Sequence, residues 1–253
     1  MTSLSSLCKI FKTFITLSNT KPTQRTTEIY SQSAKNDLFS LFKNKMTKIP
    51  LFPLQLVVFP NSQYPLHIFE ERYRKLLKRC RDEGSGFVIV AKFGTKISDV
   101  GVFVKVTDII KKYDTGESDI IVKGIKRYLI GKISMHPDGY LEAAVEDYYD
   151  DDSSTDFVLL EEMKDKFEEI LNKANFHLDK SFWKRFKETE TKSFKVAEKS
   201  GLTLEQQQEL LILKEENLRL SYLIEYFNKL NEHISESSFL KQIVMSDGYL
   251  NKE

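Results

Sequence analysis

The sequence has no excess of charge of either sign: 38 Lys and Arg face 37 Asp and Glu over 253 residues. Net charge therefore gives no whole-molecule argument for binding nucleic acid or an anionic membrane. Cysteine is nearly absent. Only Cys8 and Cys80 occur; they form no visible disulfide framework, and a reducing cytoplasm fits best. Neither has a Cys or His at ligand spacing, so zinc is not expected. The four histidines, at 67, 136, 177 and 233, offer no metal pair and no H-E-x-x-H. No apolar run reaches the roughly 18 residues of a membrane span. The ten glycines never take the G-x-x-x-x-G-K-[ST] spacing that cradles nucleotide phosphate. No nucleophile–base pair stands out, so a stand-alone hydrolase is the weakest reading and no cofactor is expected.

What is present is enough apolar content, 41%, to fold a globular chain. Residues 1–45 differ from the rest: rich in Ser and Thr, with seven Lys or Arg against Glu28 and Asp37. Lys9 and Lys12 break the one apolar stretch there, which argues against a secretory signal. A transit peptide for an organelle is the minor alternative to a cytoplasmic protein. The expectation is a disordered or mis-started extension, with Met46 as a possible true first residue.

Residues 46–150 read as a β subdomain. Ile49 to Phe59 is aromatic and β-branched, and Pro50 and Pro53 belong at a strand start or edge because proline lacks the ladder donor. Pro60-Asn61 breaks the run, and Pro65 to Phe69 is a second extended piece. Tyr73, Leu76, Leu77 and Cys80 recur at helical spacing, which predicts one early helix over 70–81, ended by Gly84 and Gly86. Strands follow at 87–93, 100–110, 119–123, 128–133 and 140–146, with turns at Asp114–Glu117 and Pro137–Gly139 and an interruption at Gly124. Many short strands and one helix imply a curved, partly closed sheet.

Residues 151–253 read as a helical subdomain. Phe157, Leu160, Met163, Phe167, Ile170, Leu171 and Ala174 share one face of a helix over about 155–175. Phe182, Trp183 and Phe186 mark a second helix. Phe194, Val196 and Ala197 mark a third, ended by Gly201. Thr203 and Gln206 form a capping box. Leu218, Leu220, Leu223, Ile224, Phe227 and Leu230 form the last face, with a break near Lys214–Glu215 where the apolar phase slips.

These residues carry a resemblance. Pro50-Leu-Phe-Pro-Leu54, Val57-Val-Phe-Pro60, Pro65-Leu-His-Ile-Phe-Glu70 and Arg72-Tyr-Arg74 look like the opening signature of the Lon protease N-terminal domain family. Val100-Gly101 and Gly124-Ile-Lys-Arg127-Tyr128 resemble later landmarks, and Gln207 to Leu211 and Arg219-Leu220 to Leu223 resemble its helical strings. Asn61 departs from the family's usual Gly, but Asn tolerates a left-handed backbone. The resemblance covers roughly residues 48–230. It implies an α+β fold: a PUA-like β pseudo-barrel with one early helix, followed by a C-terminal α-helical bundle.

Lon's ATPase motif is missing, and the sequence ends before a domain with the peptidase Ser–Lys pair would begin. The resemblance thus implies a non-catalytic, free-standing relative that binds unfolded or hydrophobic polypeptides, as a chaperone-like module or as a proteolysis adaptor with a separate ATP-dependent protease for a partner. Related barrel-like modules bind RNA, so nucleic-acid or small-ligand binding is the alternative. Near-zero net charge, and the lack of Lys or Arg interleaved with stacking aromatics, count against it. Candidate peptide-binding residues are Leu51, Phe52, Leu54, Leu56, Val58 and Phe59 of the opening run, which with Val57 holds more apolar groups than one sheet face can bury. A residue left exposed at an open edge could take an extended peptide by strand addition; the default for each singly is the core. His67 reads as structural, Arg72 and Arg74 (after Glu70-Glu71) as an intramolecular ion pair or a solvated face, Arg127 as a strand-crossing brace, and Glu146 to Asp156 as a polar linker.

Overall fold

The computed structural model describes residues 48–233. The expectations for residues 1–45 lie outside the described residues, as does everything after His233. Six strands and an early helix come first: β1 Lys48–Leu54, β2 Gln63–Ile68, α1 Glu71–Asp82, β3 Phe87–Phe93, β4 Lys96–Lys112, β5 Ser118–Met135 and β6 Leu141–Asp147. Five helices follow: α2 Phe157–Lys173, α3 Lys180–Glu188, α4 Lys192–Ala197, α5 Leu204–Ile212 and α6 Glu216–His233.

The sheet order is β2-β5-β4-β3-β1-β6, and β5 also pairs with β6. That pairing closes five strands into a ring, because β5 is long enough to be shared. Its first half, residues 118–123, pairs with β2; its second half, 128–135, pairs with β6. The closure is irregular: β1 runs parallel to β3, the other pairs are antiparallel, and β2 is an appendage. β1 is thus interior to the ring and not an edge. It tolerates its prolines because it is staggered: residues 48–51 pair with β6 and 51–54 with β3. Each proline lies on a stretch paired on one side only, where a missing donor is tolerated.

Gly124 does not end a strand. β5 runs through it with a register shift, Val104 opposing Gly124 and Phe103 opposing Lys126. The loop after β1 crosses at this point. The Asn61 amide donates to the Gly124 carbonyl at 2.9 Å, and the Gly124 amide to the Ser62 carbonyl at 2.9 Å. A Cβ on Gly124 would lie 2.2 Å from the Phe59 carbonyl oxygen, so only glycine lets the two backbones approach. Asn61 takes φ +65°, the left-handed turn expected of it.

Alternation along the strands fills two layers. Leu51, Val88, Val90 and Ala143, with Ile49, Phe103, Tyr128 and Ile130 against them, form a small cluster to which every ring strand contributes. The opposite layer is one continuous core. It joins Phe52, Val57 to Phe59, Tyr73, Leu76, Ile89 and Val104 to Met163, Phe167, Phe194, Leu223 and Phe227 of the helices. Burying one such side chain contributes roughly 1.5–3 kcal/mol. The sheet and the helices therefore share a core and fall in one compact unit.

The helices end where their caps say. Asp156 accepts from the Val158 amide at 2.8 Å and Asp179 from the Phe182 amide at 2.8 Å. The Thr203–Gln206 capping box forms with both bonds. The Lys192 amine donates to the Phe186, Lys187 and Thr189 carbonyls at 2.6–2.8 Å, closing the end of α3. The apolar phase slip becomes a break: α5 ends at Ile212 and α6 starts at Glu216.

Two arginines fasten that break to the sheet. Arg127, on β5, donates to the carbonyls of Leu211 and Leu213 and to Asp150. Arg219, on α6, donates to Leu213 O at 2.7 Å, to Asp150 Oδ2 at 2.8 Å and to Glu216 Oε2 at 2.9 Å. Glu216 in turn accepts from the Ser193 amide and hydroxyl at 2.8 and 2.7 Å. Arg219 is fully buried, and the Phe194 ring lies under both guanidinium groups. Burial pushes the Arg127 pKa down, and the Asp150 charge opposes it. The role of Arg127 is therefore to hold a helix end. The acidic stretch is more than a linker, since Asp147 pairs with Lys126, Asp150 with both arginines, and Asp156 caps α2.

Candidate polypeptide-binding groove

β4 has 17 residues and β3 has seven. The pairing between them ends at Phe87 opposite Val104, whereas β4 stays paired with β5 as far as Lys112 opposite Ser118. Residues 105–112 thus project as an overhang, hydrogen-bonded on one side only. A turn closes the arm, with Tyr113 N donating to Glu117 O at 3.0 Å. Beside the overhang runs α1, and between them lies a cavity of about 580 Å³. Its apolar lining comes from Leu77 and Cys80 of α1, Val106 and Ile109 of β4, and Ile120 of β5. Ile109 is 45% exposed and Ile110 62%. Cys80 is buried as a free thiol, and burial pushes its pKa up.

The arm is braced from both sides. Arg74 Nη1 donates to the Thr115 carbonyl at 2.7 Å, tying the turn to α1, while Arg74 Nε is buried without a hydrogen-bond partner. Behind the arm, Asp119 meets His67 Nδ1 at 2.7 Å and accepts from the Tyr113 hydroxyl at 2.8 Å. That bond holds the Tyr113 phenol above its ordinary pKa. Exposed Phe69 stacks on His67. His67 is thus an arm brace beside two carboxylates, Asp119 at 2.7 Å and Glu117 at 3.6 Å.

The cavity is basic in a neutral protein. Arg74, Lys78, Arg81, Lys105 and Lys112 line it against Asp108 and Glu117. Among the described residues, the side chains of Lys78, Lys105 and Lys112 have no ion-pair or hydrogen-bond partner. Arg72, by contrast, pairs with Glu70 at 2.7 Å, as expected.

The opening apolar run does not supply this surface. Leu51, Phe52, Val57, Val58 and Phe59 are all 5% exposed or less; Leu54 and Leu56 are half-buried against the main core. The correction has a simple cause. The chain has two apolar layers, one within the ring and one beneath the helices, and together they take more than one sheet face does. Lys105, Ile109 and Lys112 were not singled out by sequence reasoning. The signal that marks them is strand length, an eleven-residue run at 100–110 beside a seven-residue partner. Among the described residues, no group of His, Cys, Asp or Glu is placed to hold a metal ion, and no helix is long and apolar enough to cross a membrane.

A ring-closed sheet backed by trailing helices, with an open groove at an unfinished strand edge, defines a compact α+β module of the Lon N-terminal type. The chain belongs to the family of the ATP-dependent protease La (LON) substrate-binding domain, whose description matches residues 48–229. It is similar to the crystal structure of a Lon N-terminal domain protein from Xanthomonas campestris, at 23% identity and TM-score 0.57, over 71% of this chain and 98% of that one. It is also similar to the N-terminal domain of Mycobacterium avium complex Lon protease, at 17% identity and TM-score 0.55, over 72% of this chain and 98% of that one. At these identities the two structures bear on the fold.

Proposed function

We propose that this protein binds unfolded or hydrophobic polypeptide segments in the groove between α1 and the β4 overhang, without catalysing a reaction on them. One observation carries the reading: the unpaired edge at residues 105–112 borders an apolar cavity. An extended segment can satisfy such an edge with its backbone and place alternate side chains in the cavity. The family's description as a substrate-binding domain supports the same role. In this reading the protein works in a reducing cytoplasm as an adaptor or chaperone-like module that presents segments to a separate ATP-dependent protease. The test is binding of a casein-like unfolded protein against a folded control, for the unaltered chain and for Ile109→Asp. Preference for the unfolded protein, weakened by the substitution, is the expected result. Equal or absent binding to both would remove the proposal.

A further inference from the structure

We infer that the groove selects extended segments in which acidic side chains flank apolar ones, held as an added strand on the β4 edge. This rests on the polypeptide-binding reading and narrows it to a chemistry. Eight edge residues at about 3.3 Å each span roughly 26 Å at most, and the register shifts at 106–108 and 109–111 bend this edge, so an added strand pairs with it in short stretches. The cations are distributed along that length. Lys105 stands where β3 stops, Lys112 at the turn, and Lys78 and Arg81 along the helix wall. The apolar lining lies between, at Val106, Ile109 and Leu77. An occupant with carboxylates toward its ends and branched or aromatic residues at its centre matches both features.

Lysines on a strand edge also act as guards against unwanted pairing, and here the guard has a direction. A second copy would bring its own Lys105, Lys111 and Lys112 against the same residues, and like charges directly opposed are unfavourable. A carboxylate-bearing segment meets the reverse situation. Lys78, Lys105 and Lys112 have no ion partner among the described residues, so pairing with an incoming acid breaks no existing contact.

The experiment uses the full chain and three fluorescent decapeptides with the same alternating Val and Phe centre, flanked by Glu, Gln or Lys. At low salt the Glu peptide is expected to bind about tenfold more tightly than the Gln peptide, and the Lys peptide least, with the gap closing as salt rises. The double variant Lys105→Glu, Lys112→Glu should reverse the order while keeping its thermal midpoint. N-methylating alternate amides in one phase should abolish binding and in the other phase should spare it, because only one set faces the β4 ladder. Equal binding of the Glu and Gln peptides overturns the inference and leaves the proposed function standing. Equal loss in both N-methyl phases overturns the added strand. Tighter, salt-sensitive binding of a single-stranded oligonucleotide than of the Glu peptide overturns the inference in favour of nucleic acid. If neither the peptides nor unfolded casein bind, both readings fall.

Discussion

The molecule uses its cationic side chains in two opposite ways. At the junction of sheet and helices, Arg127 and Arg219 are buried and fully engaged by Asp150, Glu216 and backbone carbonyls. At the groove, Lys78, Lys105 and Lys112 meet water. A buried charge must be matched inside the protein or the fold fails, so its partners are architectural. An exposed, unmatched charge costs the fold little and remains available to something arriving from outside. The difference separates what holds this protein together from what the protein holds.

That contrast predicts a graded series. The largest effect should follow Arg219→Met, at about 3–5 kcal/mol, because Glu216 is left as a buried carboxylate with its main partner gone. Urea unfolding should show the loss as a lowered midpoint with an unchanged slope. Adding Glu216→Gln to it should cost less than the two single changes summed, since the orphaned charge is removed as well. Arg127→Met should cost about 2–3 kcal/mol by the same measurement, since Leu211 O loses its donor while Asp150 keeps Arg219. Thr203→Ala, which removes an ordinary neutral cap, should cost about 1 kcal/mol in thermal unfolding. Lys105→Glu should change stability by no more than about 0.5 kcal/mol, yet weaken binding of acidic peptides in an anisotropy titration. A large stability loss there would erase the contrast.

Periodicity carries most of the fold into the sequence. The early helix, the run from Phe157 to Ala174, the capping box at Thr203 and the break before Glu216 all follow from local chemistry, so they are readable without the structure. What local chemistry does not encode is meeting. Nothing near Arg127 announces that Arg219 lies against the same carboxylate, because the two are 92 positions apart and joined only by Asp150. Gly124 reads as an interruption because its reason, the Phe59 carbonyl pressed against it, belongs to another segment. The groove was hidden for a related cause. Its lysines look like any solvated face, and only the comparison of β4 with its shorter neighbour shows that one edge is left open.

The ring's seam also sets an order of events during folding. β1 lies against β6, and Lys48 reaches Glu142, 94 positions further along the chain. The first of the described strands to leave a ribosome thus waits for the last strand of the sheet before its outer side is paired. Arg127 waits almost as long, for carbonyls 84 and 86 positions downstream. Long-range closures of this kind slow a chain and leave strand edges uncovered meanwhile. On the proposed function, a protein that takes up extended segments passes, during its own synthesis, through a stage in which it presents such segments itself.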